Sequence, residues 1–267
     1  MKDLVILKIG GSVCTDKSRN SFRVRSDVVK RIGKEIRDAR MEKAFRLIVV
    51  NGAGPFGHLN VKRYDINNGL HTEKDYEGFS KTLSDCTYLN WKVSDTLRSA
   101  GLVTMPYPSS SVAIQVKKKL VSVYLDNMKR IWDANDSVIP VLNGTMVPDM
   151  KLGSSPMSGD AIIEYLARRL SPKSIIFLTD VDGVFDKDPN RFADAKLLKT
   201  ITKDDLGNIK RYATGSSNVD VTGGMLGKLK NLLELNSQCY VVNGNRPGNT
   251  RAVLLDEPVK GTLINPF

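Results

Sequence analysis

The sequence has few cysteines and no long apolar run. Cys14, Cys86 and Cys239 lie far apart without metal-ligand spacing, so we expect free thiols in a reducing compartment rather than a disulfide framework or a zinc site. No apolar stretch approaches the roughly 20 residues that span a bilayer. The short run Leu4–Leu7 ends at Lys8, too early for a secretory signal peptide. These absences predict a cytoplasmic protein that does not cross a membrane.

The chain also has fewer acidic than basic residues. It contains 40 Lys and Arg and 29 Asp and Glu, which gives a net charge of +11. Such a surface can attract nucleic acid, anionic membranes or anionic metabolites. The cations are dispersed, and the compact run Lys117–Lys119 has no interleaved aromatic residues of the kind that bind single strands. We therefore do not expect a nucleic-acid partner. A regulator that senses nucleotides or binds nucleic acid is kept as an alternative hypothesis from a second class of function.

Short apolar runs alternate with amphipathic stretches along the 267 residues. The apolar runs predict strands buried on both faces of a parallel sheet: Leu4–Ile9, Arg46–Asn51, Val138–Leu142, Ser174–Leu178 and Cys239–Val242. The amphipathic stretches predict helices: Val24–Lys43, Glu73–Ser99, Ala161–Leu170 and Met225–Leu235. This alternation favours a single α/β domain with an open, mostly parallel sheet, whose ligands bind beyond the carboxyl ends of the strands.

Glycine-rich turns follow the first two predicted strands. In Lys8–Ser12, paired glycines would let backbone N–H groups approach an anion, and Lys8 could place a charge on a phosphoryl group. A Gly-Gly pair after a strand is by itself more often an ordinary turn. In Asn51–His58, three glycines lead into a predicted helix start, which is a place for anion binding, and His58 could contact a phosphate there.

Three further turns complete the set. Asp160, in Ser158–Asp160, would by itself be interpreted as a helix cap. The aspartates of Thr179–Val184 suggest a calcium loop, but the EF-hand spacing is absent. Asp220–Lys228 carries a glycine pair at a helix start with a lysine one turn later, and the chain has no Walker P-loop pattern.

The five turns together resemble the amino acid kinase family, in order and spacing, from Lys8 to about Thr262. Within it they are most similar to the isopentenyl phosphate kinases, because of Thr15–Lys17, Gly52–Gly54 and the histidine that follows Phe56-Gly57. The resemblance implies a three-layer α/β/α sandwich around a mostly parallel open sheet, and a homodimer. It implies an acceptor-binding half at about 1–170 and a nucleotide-binding half at about 171–267.

The resemblance also implies ATP, with Mg²⁺ carried by the ATP phosphates rather than by protein ligands, and a small phosphate compound as acceptor. It implies these catalytic residues: Lys8, Lys17, His58, Asp160 and Lys228. The residues it implies for ATP binding are Lys8, Gly10, Gly11, Ser12, Gly54, Asp180, Phe185, Lys187, Gly224 and Lys228. For the acceptor phosphate they are Ala53, His58 and Gly159. Because a phosphate acceptor is already a nucleophile at neutral pH, such a site needs converging positive charge rather than a strong base.

Two positions depart from the family pattern. Pro55 stands where the phosphate kinases usually have serine, and Thr145 stands where an aspartate is common. Another small phosphate or a phosphonate therefore stays open as acceptor, as for a fosfomycin-type or a furan-phosphate kinase. An apolar tail pocket is expected from Tyr76, Phe79 and Leu83, which could equally be ordinary core residues.

Overall fold

The computed structural model describes residues 2–16, 22–189, 191–205 and 227–267. Its strands are β1 (Asp3–Ile9), β2 (Phe45–Asn51), β3 (Thr104–Pro106), β4 (Ala113–Val116), β5 (Lys119–Val123), β6 (Ile139–Asn143), β7 (Thr145–Asp149), β8 (Gly153–Met157), β9 (Ser174–Thr179), β10 (Thr200–Ile201), β11 (Gln238–Asn243) and β12 (Gly261–Ile264). Its α-helices are α1 (Gly11–Cys14), α2 (Ser26–Glu42), α3 (Gly54–Tyr64), α4 (Glu73–Ser99), α5 (Asp126–Ala134), α6 (Gly159–Leu170) and α7 (Asn249–Leu254). Residues 227–233 are also helical.

Eight strands form the main sheet, in the order β10-β12-β11-β9-β1-β2-β6-β3. Neighbouring strands run parallel except β11 and β12, which are antiparallel. All five predicted strands belong to this sheet, with β1 hydrogen-bonded to β2 on one side and β9 on the other. The carboxyl ends of β1, β2, β6 and β9 therefore lie side by side at one edge of the sheet.

The sheet is buried on both faces, because successive side chains of a strand point to opposite sides. In β1, Leu4 and Ile6 belong to the core beneath α5, α6 and the 227–233 helix, whereas Val5, Leu7 and Ile9 belong to the core beneath α2, α4 and α7. This arrangement confirms the predicted α/β/α layers. Within the described ranges, no helix is both long enough and apolar enough to cross a bilayer.

A second, four-stranded sheet, in the order β5-β4-β7-β8, was not predicted from the sequence. Its strands are short. β4 and β5 have exposed positions, and β7 and β8 are mostly buried but include polar residues, so they lack the continuous apolar runs of the main sheet. Asp149 joins its two hairpins: the carboxylate accepts the N–H groups of Lys117 and Lys118 in one turn and of Lys151 in the other. These bonds lower the pKa of Asp149 although burial alone would raise it.

Candidate active site

A cleft of about 560 Å³ opens at the carboxyl ends of β1, β2, β6 and β9. Four of the five predicted glycine turns meet there, from regions of the chain more than 100 residues apart. The predicted site residues that line the cleft are Lys8, Gly10, Gly11, Ser12, Ala53, Gly54, His58, Gly159, Asp160 and Asp180. Lys17 and Gly224 lie outside the described residues.

Lys8 reaches the cleft because of the alternation along β1. It follows Leu4 and Ile6 on the face covered by α6, and its Cα is paired in register with those of Val50 in β2 and Phe177 in β9. Lys8 Nζ donates to Asp160 Oδ1 at 2.6 Å, and only 16% of its side chain is exposed. The central strand of the sheet therefore delivers a fixed positive charge into the cleft.

Asp160 also pairs with a second lysine, through the same oxygen. Lys228 Nζ lies 3.3 Å from the same Oδ1 and 4.4 Å from the centre of the Phe177 ring, which supports the ammonium group from below. Burial would raise the pKa of Asp160, but the two lysines lower it overall. Burial lowers the pKa of Lys228, with Asp160 acting against it. Two ammonium groups thus converge on one carboxylate, as a site for a highly charged anion requires.

Asp160 does not cap the helix, which was the simpler interpretation of its position. The cap of α6 is Ser158, whose Oγ accepts the N–H of Ala161 at 3.1 Å. Asp160 is the second residue of the helix, and its carboxylate is free to face Lys8 across the cleft. Gly159 lies between them, where a Cβ would stand 3.4 Å from Lys8 Cε.

The first two glycine turns pack directly against each other. A Cβ on Gly11 would stand 2.7 Å from the backbone nitrogen of Gly54, and one on Gly52 would stand 2.6 Å from that of Gly11. No side chain fits in this contact, since real Cβ atoms do not come so near to backbone. The glycines therefore let the turn after β1 and the turn after β2 form one continuous backbone wall.

His58 lies in the second turn of α3 and lines the cleft together with Ala53. Pro55, one of the departures from the family pattern, is the second residue of α3, where a missing N–H interrupts no helical hydrogen bond. Asn51 and Asn90 form a buried pair behind this wall: Asn90 Nδ2 donates to Asn51 Oδ1 and to the Val141 carbonyl, both at 3.0 Å. The pair ties α4 to the ends of β2 and β6.

Three of the described residues that were predicted to bind the nucleotide do not line the cleft: Lys228, which contacts its wall through Asp160, and Phe185 and Lys187. Phe185 pairs with Leu197 in an isolated antiparallel bridge. The ammonium of Lys187 is paired with Asp194 and stands over the Phe192 ring. Both belong to the segment that continues from the Thr179–Val184 turn, so their role in nucleotide binding stays a prediction.

The cleft also has an apolar section that the sequence did not reveal. Its apolar residues are Val61 of α3, Met146 of β7, and Pro156 and Met157 of β8. Tyr76, Phe79 and Leu83 do not line it; α4 instead contributes Thr82, because its inward stripe runs through Gly78, Thr82 and Cys86. Tyr76 is 56% exposed on the outer side of the helix.

Thr145, the second departure from the family pattern, begins β7 at the cleft wall. Its side chain is buried beside the Cys86 thiol, a weak hydrogen-bonding group. Burial raises the pKa of that thiol to about 12, and those of Cys14 and Cys239 likewise. The three cysteines are free and buried, so none of them is an activated nucleophile.

Within the ranges that the structure describes, no group of three or more His, Cys, Asp or Glu side chains could hold a metal ion. The carboxylate of Asp160 is occupied by Lys8 and Lys228. Mg²⁺ usually keeps several waters and is bound through one or two carboxylates together with substrate phosphates. Asp160 and Asp180 are the carboxylates among the described residues that line the cleft, so an ion there would need phosphate oxygens of a bound substrate among its ligands.

Residues 3–243 match the family described as the amino acid kinase family. The chain belongs to the amino acid kinase family. It is similar to the isopentenyl phosphate kinases of Methanothermobacter thermautotrophicus and Methanocaldococcus jannaschii, each 34% identical with 98% of both chains covered. A solved isopentenyl phosphate kinase structure superposes with a TM-score of 0.82 at 30% identity, covering 98% of this kinase and 100% of that chain.

Proposed function

We propose that this kinase transfers the terminal phosphoryl group of ATP to isopentenyl phosphate, giving isopentenyl diphosphate for isoprenoid synthesis. The observation that carries the proposal is the make-up of one cleft. Lys8, Asp160 and glycine-rich backbone line the cleft, and Lys228 is paired with Asp160. His58 of α3 and an apolar section complete the lining. The relatives named isopentenyl phosphate kinase, which match over nearly the whole chain, support the same acceptor.

The proposed ATP site begins at the turn after β1. Gly10, Gly11 and Ser12 present backbone to the ATP phosphates, and Gly54 stands against them in the shared wall. Lys8 and Lys228 carry the positive charge that stabilises the transferring phosphoryl group, and Asp160 holds both in place. Lys17 and Gly224 are proposed members of the same site.

The proposed acceptor site is formed by His58, Ala53 and Gly159, the last of which packs against Lys8. His58 donates to the acceptor phosphate, and Ala53 and Gly159 supply backbone contacts. The isoprenoid tail occupies the section lined by Met146 and Met157. Because the attacking oxygen is already anionic, in-line placement and charge stabilisation perform the reaction without a general base.

Mg²⁺, when bound through the ATP phosphates, neutralises charge on the nucleotide and fixes its conformation. We further propose that the kinase works as a homodimer in the cytoplasm, with an acceptor-binding half at about 1–170 and a nucleotide-binding half at about 171–267. Its free, buried cysteines suit a reducing compartment.

The direct test is turnover of a panel of acceptors with ATP and Mg²⁺: isopentenyl phosphate, a furan phosphate, fosfomycin and a simple alkyl phosphate. We expect the highest kcat/KM for isopentenyl phosphate. Turnover of fosfomycin or the furan phosphate without turnover of isopentenyl phosphate would reassign the acceptor. ATP binding without transfer to any acceptor, together with salt-sensitive binding of nucleic acid, would instead favour a regulator.

A further inference from the structure

The turn between β9 and the following segment, Thr179–Val184, is held by an unusual concentration of contacts on one side chain, Asp182. The Asp182 carboxylate faces the guanidinium of Arg246 in a two-point contact, Nε to Oδ1 at 2.7 Å and Nη2 to Oδ2 at 2.8 Å. Lys260 Nζ lies 2.8 Å from Oδ2, and Asn243 Nδ2 donates to Oδ1 at 3.0 Å. Only 11% of the Asp182 side chain is exposed.

These partners come from different parts of the nucleotide half. Asn243 ends β11, Arg246 stands in the loop after it, and Lys260 precedes β12. The carboxylate therefore bonds the Thr179–Val184 turn to the end of β11, to the loop after it and to the residue before β12. The aspartates of this turn suggested a calcium loop, although the EF-hand spacing is absent. Such a loop does not fit here either, because Arg246 and Lys260 contact both oxygens of Asp182.

The partner loop is itself fixed from the opposite side. Arg31 of α2 donates to the Gly244 carbonyl at 2.5 Å, and its neighbour Glu35 accepts the N–H groups of Gly248 and Thr250 at 3.1 and 3.0 Å. Arg25 donates to Asn245 Oδ1 at 2.9 Å and to the Ser12 carbonyl at 3.3 Å. Arg25 thus connects the loop that contains Arg246 to the turn that contains Ser12.

The backbone around Asp182 is fixed as well. Gly183 has φ +148°, and a Cβ there would stand 2.6 Å from Thr262 Oγ1. That hydroxyl accepts the N–H of Val184 at 2.8 Å, while the Thr179 carbonyl accepts the N–H of Gly244 at 2.9 Å. The turn is therefore held at both ends, and Asp182 holds its middle.

We propose that Asp182 is a positioning residue for the nucleotide. Asp182, bound by Arg246 and Lys260, fixes the conformation of the turn whose Thr179 and Asp180 line the cleft. The turn is therefore already ordered before ATP binds. This inference rests on the proposed function for the location of ATP but not for the acceptor. When a loop becomes ordered only on binding, the loss of its conformational entropy reduces the affinity for the ligand. Release of Asp182 should therefore weaken ATP binding and leave binding of the acceptor nearly unchanged.

The test compares Asp182→Asn with the wild type by calorimetry, using a non-hydrolysable ATP analogue with Mg²⁺ and, separately, isopentenyl phosphate. We expect analogue affinity to fall about tenfold, which corresponds to about 1.4 kcal/mol, with acceptor affinity changed less than about twofold. Lys260→Met, which removes one exposed partner, should give a smaller loss in the same direction. Glu42→Gln is the control, because Glu42 also pairs with an arginine, through Arg251 Nη2, but lies at the end of α2 rather than in the Thr179–Val184 turn.

Thermal unfolding of each variant separates a local effect from loss of the fold. Unchanged analogue affinity in Asp182→Asn, or equal losses of analogue and acceptor binding, would overturn the inference. A loss in Glu42→Gln as large as in Asp182→Asn would overturn it too. If the wild type binds the analogue but does not bind isopentenyl phosphate, the proposed acceptor fails, while the role of Asp182 is still decided by the analogue alone.

Discussion

Replacing Asp160 by asparagine keeps the shape of the side chain and removes the charge between two lysines. At an effective dielectric constant of about 20, unit charges 4 Å apart attract by about 4 kcal/mol, and both contacts of Asp160 are shorter, at 2.6 and 3.3 Å. Removing one partner of a buried pair costs about 3–5 kcal/mol. Because 30% of the Asp160 side chain is exposed, we expect a smaller loss of unfolding free energy, about 2–3 kcal/mol.

The same change should affect catalysis and its pH dependence. Without the carboxylate, Lys8 and Lys228 repel each other, and we expect kcat to fall roughly 100-fold, about 2.7 kcal/mol of barrier. The pKa of Lys228 is already lowered by burial, and Asp160 opposes that lowering. The alkaline limb of the kcat profile should therefore move to lower pH in Asp160→Asn, since Lys228 loses its proton sooner.

Both groups make the free energy of unfolding rise with pH, but the Asp160 carboxylate does so by stabilising the fold and the Lys228 ammonium by destabilising it at lower pH. The pKa of Asp160 is lowered in the folded state, so its stabilisation is present above the unfolded carboxyl value and is lost as pH falls through the folded value. The pKa of Lys228 is also lowered, so the cost of burying its charge is present at neutral pH and is relieved as pH rises toward the unfolded lysine value.

Urea denaturation at several pH values and steady-state kinetics measure these effects. The control is Asp95→Asn, which breaks an exposed i,i+3 pair with Arg98 and should cost about 0.5 kcal/mol or less. An Asp160→Asn enzyme with wild-type kcat and an unmoved alkaline limb would refute the placement of both lysines at the reacting phosphoryl group.

Three other substitutions test separate parts of the cleft. His58→Ala should raise KM for the acceptor by about 10- to 100-fold, which corresponds to the free energy of one hydrogen bond to a charged group. KM for ATP should be nearly unchanged. Equal rises in the two KM values would contradict the placement of His58 at the acceptor. Lys8→Ala should lower kcat far more than it changes either KM, and an unchanged kcat in steady-state assays would remove Lys8 from the chemistry. Gly11→Ala should destabilise the fold by about 1–3 kcal/mol, as overpacking does, because its Cβ would meet the Gly54 backbone; an unchanged urea midpoint would contradict the shared wall.

Five strands of the main sheet could be predicted because they are buried on both faces and leave continuous apolar runs in the sequence, whereas the short strands β3, β10 and β12 of the same sheet were missed. The second sheet could not, since strands such as β5 alternate only briefly and are half-exposed. Its hairpins depend on Asp149, which is bonded to turns more than 30 residues apart in sequence. Such a contact has no local pattern that would reveal it.

The site was predictable to the extent that glycine turns follow strands, which explains why Lys8, His58 and Asp160 meet in one cleft. The apolar section was missed because Met146 and Met157 belong to the unpredicted sheet. Phe177 looked like any other residue of a buried strand, and only its register beside Lys8 shows that it supports the ammonium groups. An asparagine at the end of an apolar run, as at Asn51, is the one sequence signal that could have revealed the polar pair behind the wall.

The reversed direction of β12 has a consequence for the order in which the chain matures. Because β12 runs against β11, its first residues return to the edge where the other strands end, and this places Lys260 and Thr262 beside the Thr179–Val184 turn. Domains generally fold as units. Lys8 of β1 and His58 of α3 emerge from the ribosome long before Lys260 does, so the ion pair between Lys260 and Asp182 cannot form until nearly the whole chain has been synthesised.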